Sequence, residues 1–550
     1  MHEYEADVLI VGAGPTGLAL ANALERLGTS YVVIEAKPGV SVHTKATNLM
    51  PGTLEQLDVL GLADRMYETG GVMKRYMVHM YGLDVGPRPM HLGESPHPNV
   101  LFLGQDLIDR NLKEALPDAG GRIRFSHSLT ALEQDGDGVV ATIAAGGGEH
   151  RLRFRYVVGC DGPRSVTRQF SKCDFEPVKT GKYVWQVDAK LSWRGLRTMK
   201  QMWLYYYDEG FGVVIHLPGD NTKVMVFEEK DRLPNREPTL EEMQSKLRTI
   251  SGDETATLSD PIWFSHGELL TGVAPALIDG RVILAGDACN PILPNGGQGL
   301  NIGIQDALNL AWKLHDVIRG EASPALLQTY DAERRANRLA LEKIQISTLK
   351  NTLPAPKLNQ FILGRYGNAV LDRIWPPLAK AFSQLGVSYE KSPLTLPGGT
   401  KKSIRAGQRV RDADVLRASD AAEVSLFKEL RSPEWKLIIF DGGVSLPASI
   451  ARDLASLPQL STYVIIAGAG TLDSPARVYY DLDRLAHKAY GLRVPTALLI
   501  RPDNYTAAVV PVADLKPLRS YLAEWYMRPD EVGSRAALSE ATHSHAREAA

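Results

Sequence analysis

The sequence predicts an α/β protein in which a Rossmann-like domain is interrupted by an antiparallel-sheet domain and followed by a second α/β domain. Three observations support this fold class. A glycine-rich turn joins a buried strand to a helix at residues 7–27, residues 182–227 alternate with the two-residue period of strands, and residues 435–500 alternate strands with helices. With 550 residues, the chain is also too long for one hydrophobic core.

Composition and charge exclude several classes of protein. Lys and Arg number 62 against 64 Asp and Glu, and this formal charge of −2 gives no reason to expect binding to nucleic acid or to an anionic membrane. The cysteines Cys160, Cys173 and Cys289 are widely spaced, which predicts neither a disulfide framework nor a zinc site. The N-terminus resembles neither a signal peptide nor a membrane span. We therefore expect a soluble cytoplasmic protein with no nucleic-acid, membrane or metal partner.

The turn near the N-terminus has the residues of a dinucleotide-binding fingerprint. A strand pattern covers residues 7–11, a helical pattern covers residues 18–27, and a second strand at residues 31–34 ends in Glu35, 18 positions past Gly17. This context predicts dinucleotide binding, although it does not separate FAD from NAD. The turn itself consists of Gly12, Ala13, Gly14, Pro15, Thr16 and Gly17.

The glycines and the acid of this fingerprint have separate expected roles. Gly12 makes the tight turn, Gly14 lets the backbone approach a pyrophosphate, and Gly17 lets the helix and the strand pack closely. Glu35 would accept hydrogen bonds from a ribose hydroxyl. The four residues together therefore describe the adenosine end of a dinucleotide.

A second glycine-rich loop indicates where a flavin-like ring would bind. Asp287 follows a β-branched run at residues 281–285, a glycine-rich loop comes next, and a helical pattern covers residues 300–318. This arrangement places a hydroxyl-binding carboxylate beside unpaired N–H groups and the positive end of a helix dipole. It suits a polyhydroxylated chain that ends in a flat ring able to become anionic, which describes a reduced flavin better than a pyridine nucleotide.

Between these two loops lie an acid–glycine turn and an aromatic-rich sheet. In chain order the fingerprint turn is therefore the first of three loops, the Asp161 turn is the second, and the Asp287 loop is the third. Asp161 follows a strand pattern, and it could cap the next helix or contact a bound cofactor. Most aromatic side chains of the sheet are expected in the core, and a minority could line a pocket for a flat ligand. Antiparallel strands with one covered face are predicted at residues 182–191, 199–207, 212–217 and 222–227.

Together these motifs resemble those of class A flavoprotein monooxygenases, in the phenol-hydroxylase-like branch of the FAD-dependent aromatic hydroxylases. The glycine fingerprint, the Asp161-Gly162 turn and the Gly286-Asp287 loop occur in the family's order. A helical pattern at residues 326–335 matches the one that closes the family's FAD-binding domain. The resemblance implies FAD as the cofactor, with NADH or NADPH and molecular oxygen as co-substrates.

The resemblance also implies which residues contact the flavin half of FAD. Gln105 would contact the ribityl region, and Asp287 would bind a ribityl hydroxyl. Pro294 would lie near the flavin edge where oxygen adds. The backbone N–H groups of Leu300 and Asn301 would face the pyrimidine carbonyl, which agrees with a helix N-terminus that stabilises an anionic ring.

One position departs from the family pattern. Lys45 stands where the family commonly has arginine, so the charge is kept and the planar fork of the guanidinium group is lost. We therefore expect looser contacts to the cofactor there. The complete set of implied FAD-binding residues is Gly12, Ala13, Gly14, Pro15, Thr16, Gly17, Glu35, Lys45, Gln105, Asp161, Gly286, Asp287, Pro294, Gly299, Leu300 and Asn301.

The implied activity is hydroxylation of a phenolic ring in a small aromatic substrate. NAD(P)H would reduce FAD, oxygen would add to the reduced flavin, and the flavin hydroperoxide would transfer an oxygen atom to the ring. Displacement of a nitro or halogen substituent stays open. A tailoring oxygenase of a polycyclic aromatic polyketide is an alternative that pocket size would distinguish, and a non-catalytic FAD-binding scaffold is another. The expected assembly is a homodimer.

The sequence does not identify a base that accepts the proton of a phenolic substrate. Thr47 and Asn48 occupy positions where the family places residues on the substrate side, and neither is an acid or a histidine. Tyr205, Tyr207 and His216 are the other candidates, and for each of them a structural role is the alternative. Together with Pro294 these residues form the expected catalytic set.

The C-terminal third resembles the thioredoxin-like domain of the same branch. No Cys-x-x-Cys occurs there, so dithiol chemistry is not expected. The expected boundaries are residues 1–180 and 281–350 for the FAD-binding domain, 181–280 for the substrate-binding sheet, 351–396 for a helical, proline-rich connection, 397–534 for the thioredoxin-like domain, and 535–550 for a mobile tail.

Overall fold

The computed structural model describes residues 4–81, 83–117, 122–193, 201–229, 231–294, 296–352, 357–446, 460–468 and 476–526. Contacts between Cα atoms divide the chain into two compact units. The first comprises Met1–Asn22, Tyr31–Ala307 and Arg335–Gly386, and the second comprises Ala23–Ser30, Leu308–Arg334 and Val387–Ala550. The expected tail at residues 535–550 lies outside the described residues. None of the described helices is long and apolar enough to cross a membrane.

The strands and helices of the described residues are numbered in chain order. The strands are β1 (Ala6–Val11), β2 (Tyr31–Glu35), β3 (Asn48–Leu49), β4 (Gly71–Val72), β5 (Arg75–Met80), β6 (Leu83–Pro89), β7 (Leu101–Phe102), β8 (Ile123–Phe125), β9 (Ser128–Gln134), β10 (Val139–Ala145), β11 (Gly148–Gly159), β12 (Val178–Ser192), β13 (Gln201–Tyr207), β14 (Gly210–Leu217), β15 (Asn221–Glu229), β16 (Thr257–Thr271), β17 (Ile278–Asp279), β18 (Val282–Leu284), β19 (Asp414–Arg417), β20 (Glu423–Ser425), β21 (Lys436–Phe440), β22 (Ser461–Ile466), β23 (Arg477–Tyr480), β24 (Thr496–Ile500) and β25 (Thr506–Pro511). The helices are α1 (Pro15–Leu27), α2 (Pro51–Val59), α3 (Ala63–Thr69), α4 (Gln105–Glu114), α5 (Val166–Gln169), α6 (Leu240–Ser251), α7 (Gly299–Ile318), α8 (Ala325–Thr352), α9 (Lys357–Phe382), α10 (Leu426–Glu429), α11 (Leu485–Tyr490) and α12 (Lys516–Trp525).

The first sheet of the first unit brings the three predicted loops together. Its strand order is β17-β18-β11-β1-β2-β8, and the pairs from β18 to β8 are parallel. Val11 of β1 pairs with Gly159 of β11, and Gly159 pairs with Leu284 of β18. The loops after β1, β11 and β18 therefore leave the same carboxyl edge of the sheet, where α/β proteins bind ligands.

The second sheet of the first unit has the strand order β16-β12-β15-β14-β13-β5-β6. The strands predicted in the aromatic-rich stretch are present as β12 to β15, and their pairs with one another are antiparallel. Met199 and Lys200, which the prediction included, lie outside the described residues. The sheet also takes in β5 and β6, from the segment expected to bind FAD, because β13 pairs in parallel with β5. Helix α6 packs its buried face on one side of this sheet.

The expected proline-rich connection contains a long helix of the first unit. Helix α9 includes Pro376 and Pro377, and its backbone departs from helical geometry at Tyr366. Leu371 and Ala379 of this helix belong to the same buried cluster as residues of β5 and β14, and residues of β13 pack against that cluster. The helix therefore covers the face of the second sheet that lies opposite α6.

The second unit contains a sheet with the strand order β20-β19-β23-β22-β21-β24-β25. Strands β21, β22 and β23 are parallel, and β24 and β25 are antiparallel to their neighbours. The strands predicted near residues 435–440, 462–466 and 497–500 are present as β21, β22 and β24. The assignment of this region to a thioredoxin-like fold stays a prediction.

A buried ion-pair cluster lies inside the second unit. Arg501 donates to both oxygens of Glu333, at 2.6 and 2.9 Å, and also pairs with Asp503. The ammonium group of Lys313 lies 2.8 Å from Glu333. Burial alone would raise the pKa of Glu333, but the two cations hold it well below its usual range. The charges of the cluster balance, so each member depends on the others for compensation.

We predict that Glu333→Ala lowers the free energy of unfolding by about 3–5 kcal/mol, because Asp503 alone would face the two buried cations Arg501 and Lys313, and one positive charge would be left uncompensated. Urea denaturation followed by circular dichroism measures this change. The matched control is Arg319→Ala, since Arg319 pairs with Glu321 on the surface at 2.7 Å, and its removal should cost less than about 1 kcal/mol. Equal losses in the two variants would contradict the prediction.

Candidate active site

A cavity of about 1640 Å³ lies in the first unit and has two parts. One part is a polar groove at the carboxyl edge of the first sheet. The other is an apolar chamber between the second sheet and α9. Pockets for a single small ligand usually measure about 300–1,000 Å³, so this cavity has room for a large cofactor and a second molecule.

The first glycine turn shapes one end of the groove by close backbone approach. Gly12 has φ +106°, and a Cβ atom there would lie 2.6 Å from the carbonyl oxygen of Cys160. A Cβ atom at Gly17 would lie 2.0 Å from the carbonyl oxygen of Gly12. At Gly14, by contrast, no atom lies within 4 Å of the Cβ position. The turn is therefore packed tightly at its two ends and open at its middle, where a pyrophosphate could reach the N-terminus of α1.

Glu35 is fixed at the edge of this groove. It ends β2, and its two carboxylate oxygens accept hydrogen bonds from the backbone N–H groups of Ala13 and Lys37, each at 3.0 Å. These contacts orient the carboxylate and leave lone pairs on both oxygens for a ribose hydroxyl. The geometry suits the expected role of Glu35.

Asp161 takes part in the local capping arrangement and also lines the cavity. Its carboxylate accepts hydrogen bonds from the Ser165 hydroxyl at 2.5 Å and from the backbone N–H of Thr167 at 2.9 Å. Ser165 is the N-cap residue of α5. The side chain of Arg168, on the same helix, donates to the carbonyl oxygen of Ala288 at 3.0 Å and so ties the second loop to the third. The capping and the cofactor roles of Asp161 are thus compatible.

The third loop is held by a buried ion pair behind it. Arg338 pairs with Asp306, and both side chains are fully buried. Arg338 also donates to the carbonyl oxygen of Gly286 at 2.9 Å and to the side-chain oxygen of Asn290 at 3.0 Å. Asp306 accepts from the backbone N–H of Gly286 at 3.0 Å. The loop that carries Asp287 is therefore bonded to both charges at Gly286 and to Arg338 again at Asn290.

Asp287 and Lys45 line the groove with opposite charges. Burial raises the pKa of Asp287, while Arg338 and Lys45 oppose that rise. Burial lowers the pKa of Lys45, with Lys37 adding to the effect and Asp109 and Asp287 opposing it. Asp287 therefore presents a carboxyl group to the cavity where a ribityl hydroxyl could bind.

The start of α7 completes the flavin end of the groove. Pro294, Gly299 and Leu300 line the cavity, and the first N–H groups of the helix have no helical carbonyl partner. The side chain of Asn301 points away from the cavity, since it accepts from the N–H of Met50 at 2.8 Å and donates to the carbonyl oxygen of Asn48 at 3.1 Å. Gly17, Gly286 and Asn301 thus shape the site without lining it, and the other predicted cofactor residues line it directly.

The chamber is lined mainly by apolar side chains. Methionine is unusually frequent among them, and its flexible side chain adapts to flat ligands of varied outline. The methionines are Met50, Met73, Met80, Met90, Met202 and Met225, and other apolar lining residues include Val78, Phe102, Leu204, Phe211, Val213, Ile215, Phe227, Leu269, Leu293, Leu371 and Trp375.

The candidate catalytic residues divide into two groups. Thr47 and Asn48 line the cavity, as does Pro294. Asn48 donates to the carbonyl oxygen of Gly297 at 3.4 Å, next to the flavin loop. His216 does not line the cavity, and its Nδ1 atom lies 3.1 Å from the hydroxyl of Thr222 within the sheet. Its contacts are those of a structural histidine.

Tyr205 and Tyr207 face away from the chamber. Tyr205 stacks on His79 with ring centroids 4.9 Å apart, in the core beneath α6. The hydroxyl of Tyr207 donates to Glu228 at 2.7 Å. Alternate residues of a strand point to opposite faces of the sheet, and in β13 the tyrosine that lines the chamber is Tyr206. This alternation contradicts the expectation that Tyr205 and Tyr207 contact a substrate.

Sequence reasoning missed several residues of the chamber. Tyr76 is 1% exposed and lines the chamber, and its hydroxyl has no hydrogen-bond partner among the described residues. Its ring lies 4.8 Å from that of Trp375 on α9. The alternation in β13 indicated which of its residues share a face, but no local signal indicated which face a cavity would cover, and the sequence analysis did not predict β5.

The groove fits FAD on its own geometry. Open space beside Gly14 admits a pyrophosphate, Glu35 suits the adenosine ribose, and Asp287 suits the ribityl chain. Leu300 lies at a helix N-terminus that would stabilise negative charge on the flavin ring. The chamber continues from that end of the groove, where a second ligand would meet the ring.

Comparisons with known proteins agree with an FAD site. A family model described as an FAD binding domain matches residues 5–343. A 12-dehydrotetracycline 5-monooxygenase/anhydrotetracycline 6-monooxygenase from Streptomyces rimosus is 30% identical over 427 residues, which cover 72% of this chain and 82% of the relative. A pentachlorophenol 4-monooxygenase from Sphingobium chlorophenolicum is 28% identical over 525 residues, which cover 92% of this chain and 94% of the relative.

The fold is also that of a solved hydroxylase. The structure of the OxyS anhydrotetracycline hydroxylase from Streptomyces rimosus superposes with a TM-score of 0.74 at 26% identity, covering 95% of this chain and 99% of the other. The matched family model includes the groove residues from Gly12 to Asn301. The chain therefore belongs to the FAD binding domain family and is an FAD-dependent aromatic monooxygenase.

Proposed function

We propose that the protein uses NADH or NADPH and molecular oxygen to hydroxylate a phenol that contains several fused rings and carries no carboxylate group. The observation that carries this proposal is the large, methionine-rich chamber beside the flavin end of the groove. FAD supplies the redox chemistry that activates oxygen. Because the sequence contains one dinucleotide fingerprint, the pyridine nucleotide is proposed to bind only transiently.

The size and chemistry of the chamber favour several rings over one. A single phenol ring would leave many apolar side chains without contact, and burial of apolar surface is the main source of affinity in such a chamber. Among the described residues that line the apolar part, Arg373 is the one charged side chain, and it is exposed. A substrate without a carboxylate group is therefore favoured over a small aromatic acid. One relative is named for tetracycline intermediates and another for pentachlorophenol, so multi-ring and single-ring substrates should both be tested.

The chain's own residues would position and shield the substrate. The apolar walls exclude water from the flavin edge, which protects the activated oxygen from loss. Thr47 and Asn48 lie at the junction of groove and chamber, where they could orient a ring hydroxyl. Tyr76 also lines the chamber, and its buried hydroxyl could bond a ligand, because leaving it unpaired costs roughly 1–3 kcal/mol. A ring system with oxygen substituents could form hydrogen bonds both with Thr47 or Asn48 and with Tyr76.

The first expected outcome concerns substrate class. Reconstituted with FAD, the protein should oxidise NAD(P)H faster with three- and four-ring hydroxyquinones than with single-ring phenols. Oxygen incorporation is followed by mass spectrometry, together with halide or nitrite release from substituted phenols, which separates hydroxylation from substituent displacement. Stimulation by single-ring phenols alone would reject the multi-ring substrate. If the protein binds FAD and no phenol accelerates its oxidation of NAD(P)H, the proposal that it hydroxylates a phenol is rejected.

A second expected outcome concerns Tyr76. Tyr76→Phe should raise the KM for a three-ring hydroxyanthraquinone about fivefold, because one hydrogen bond is lost, while the stability of the ligand-free protein is unchanged or slightly higher. Tyr205→Phe is the matched control, since the Tyr205 hydroxyl is also buried without a partner among the described residues but faces away from the chamber. Equal effects of the two variants on KM would show that Tyr76 has no role in recognition.

A third expected outcome concerns pH. Burial raises the pKa of Tyr206 to about 12, and it raises the pKa of Tyr76 further, so neither tyrosine accepts a proton at neutral pH. With FAD saturating, kcat/KM should therefore rise through the pKa of the substrate hydroxyl itself. Two hydroxyanthraquinones of different acidity should give inflections that move with the substrate. An inflection fixed at one pH for both would instead identify a base in the protein.

A further inference from the structure

Asp109 is a buried acid in the FAD groove that neither the fingerprint nor the third loop accounts for. It lies on α4, one turn after Gln105, and its side chain lines the cavity although it is only 1% exposed. Its Oδ2 atom accepts a hydrogen bond from the Gln105 amide at 3.4 Å. Its Oδ1 atom is buried and has no hydrogen-bond partner among the described residues. A buried polar atom of this kind usually has a partner, and Asp109 lines the groove, where a bound cofactor could supply one.

The charges around Asp109 decide which form of the carboxyl fits a bound cofactor. Asp106 on the same helix and Glu35 on β2 disfavour a further negative charge, while Lys45 favours it. Lys45 forms no ion pair with Asp109 in the part of the chain that the structure describes. An ionised Asp109 would also repel the phosphates of FAD. A protonated carboxyl, by contrast, donates a hydrogen bond to a phosphate or hydroxyl oxygen.

We propose that Asp109 is a positioning residue that enters the FAD complex protonated and donates a hydrogen bond from Oδ1 to an oxygen of the cofactor. Burial raises the pKa of Asp109 to about 8, with Asp106 and Glu35 adding to the rise and Gln105 and Lys45 opposing it. The free protein therefore holds this proton at pH 7 and loses it above pH 8. FAD binding above that pH takes a proton up from solution.

Thermodynamic linkage between proton binding and FAD binding sets the sign and the size of the change in Kd with pH. Because the bound state holds the proton more tightly than the free state, the Kd for FAD is constant below pH 8 and rises above it by up to about tenfold per pH unit. At pH 8 about half of the free protein lacks the proton, so binding takes up about half a proton per FAD. Both quantities are measured on binding alone and do not depend on the identity of the substrate or on turnover.

Fluorescence titration of the apoprotein with FAD between pH 6 and 9.5 measures the first quantity. Asp109→Asn keeps a donor and should bind FAD within about threefold of the wild type at pH 7, with no rise in Kd above pH 8. Asp109→Leu removes the donor and should bind about tenfold more weakly at pH 7. Asp220→Asn, at an exposed turn position, is the matched control and should keep the wild-type pH dependence.

Lys45 is the alternative source of a pH dependence, because burial lowers its pKa and its loss of charge would also weaken FAD binding. Lys45→Arg stays charged throughout the range. If the rise in Kd persists in Lys45→Arg and disappears in Asp109→Asn, the assignment to Asp109 stands. The opposite pattern overturns it.

A calorimetric measurement keeps the test independent of the variants. Titration of the wild type with FAD at pH 8, in two buffers of different ionisation enthalpy, should give an uptake of about half a proton. No proton uptake, or a Kd that is flat from pH 6 to 9.5 while the protein stays folded, overturns the proposal.

Discussion

The buried pair of Asp306 and Arg338 is the constraint on which the cofactor groove depends. Both side chains are fully buried, and together they bond the backbone of Gly286 and the side chain of Asn290. Breaking such a pair typically costs about 3–5 kcal/mol because one charge is left uncompensated. The pair thereby fixes the loop that presents Asp287 and leads into α7. A looser loop would not hold the ribityl chain and the flavin ring in one geometry.

The parallel sheet turns this local constraint into a site. Strands β1, β11 and β18 end in register, so the fingerprint, the Asp161 turn and the loop bonded to the buried pair meet at one edge. Arg168 and Asn301 then link neighbouring loops through backbone carbonyl groups. The groove is polar because loop backbone and helix N-termini form it, and the chamber is apolar because sheet and helix side chains form it. One cavity thereby joins a polar groove suited to FAD with an apolar chamber beside it.

Parity along a strand decided which aromatic residues belong to the chamber. A shift of one residue moves a side chain to the opposite face, so Tyr206 lines the chamber while Tyr205 and Tyr207 pack beneath α6 or bond within the sheet. The sequence showed the alternation correctly, and the strands predicted there are present. It did not show which face is covered by a helix and which by a cavity, since α9 arrives from a distant part of the chain.

Local sequence patterns predicted a dinucleotide site and a loop suited to a flavin-like ring, and the resemblance to a family then implied FAD. A glycine with positive φ or an acid at a strand end has its effect within a few residues of its position, so these features can be read from short segments. The chamber, the addition of β5 and β6 to the second sheet, and the burial of Tyr76 and of the Asp109 carboxyl emerged only from the folded chain. They depend on contacts between segments far apart in sequence, and no local pattern encodes which distant side chain will cover a given face.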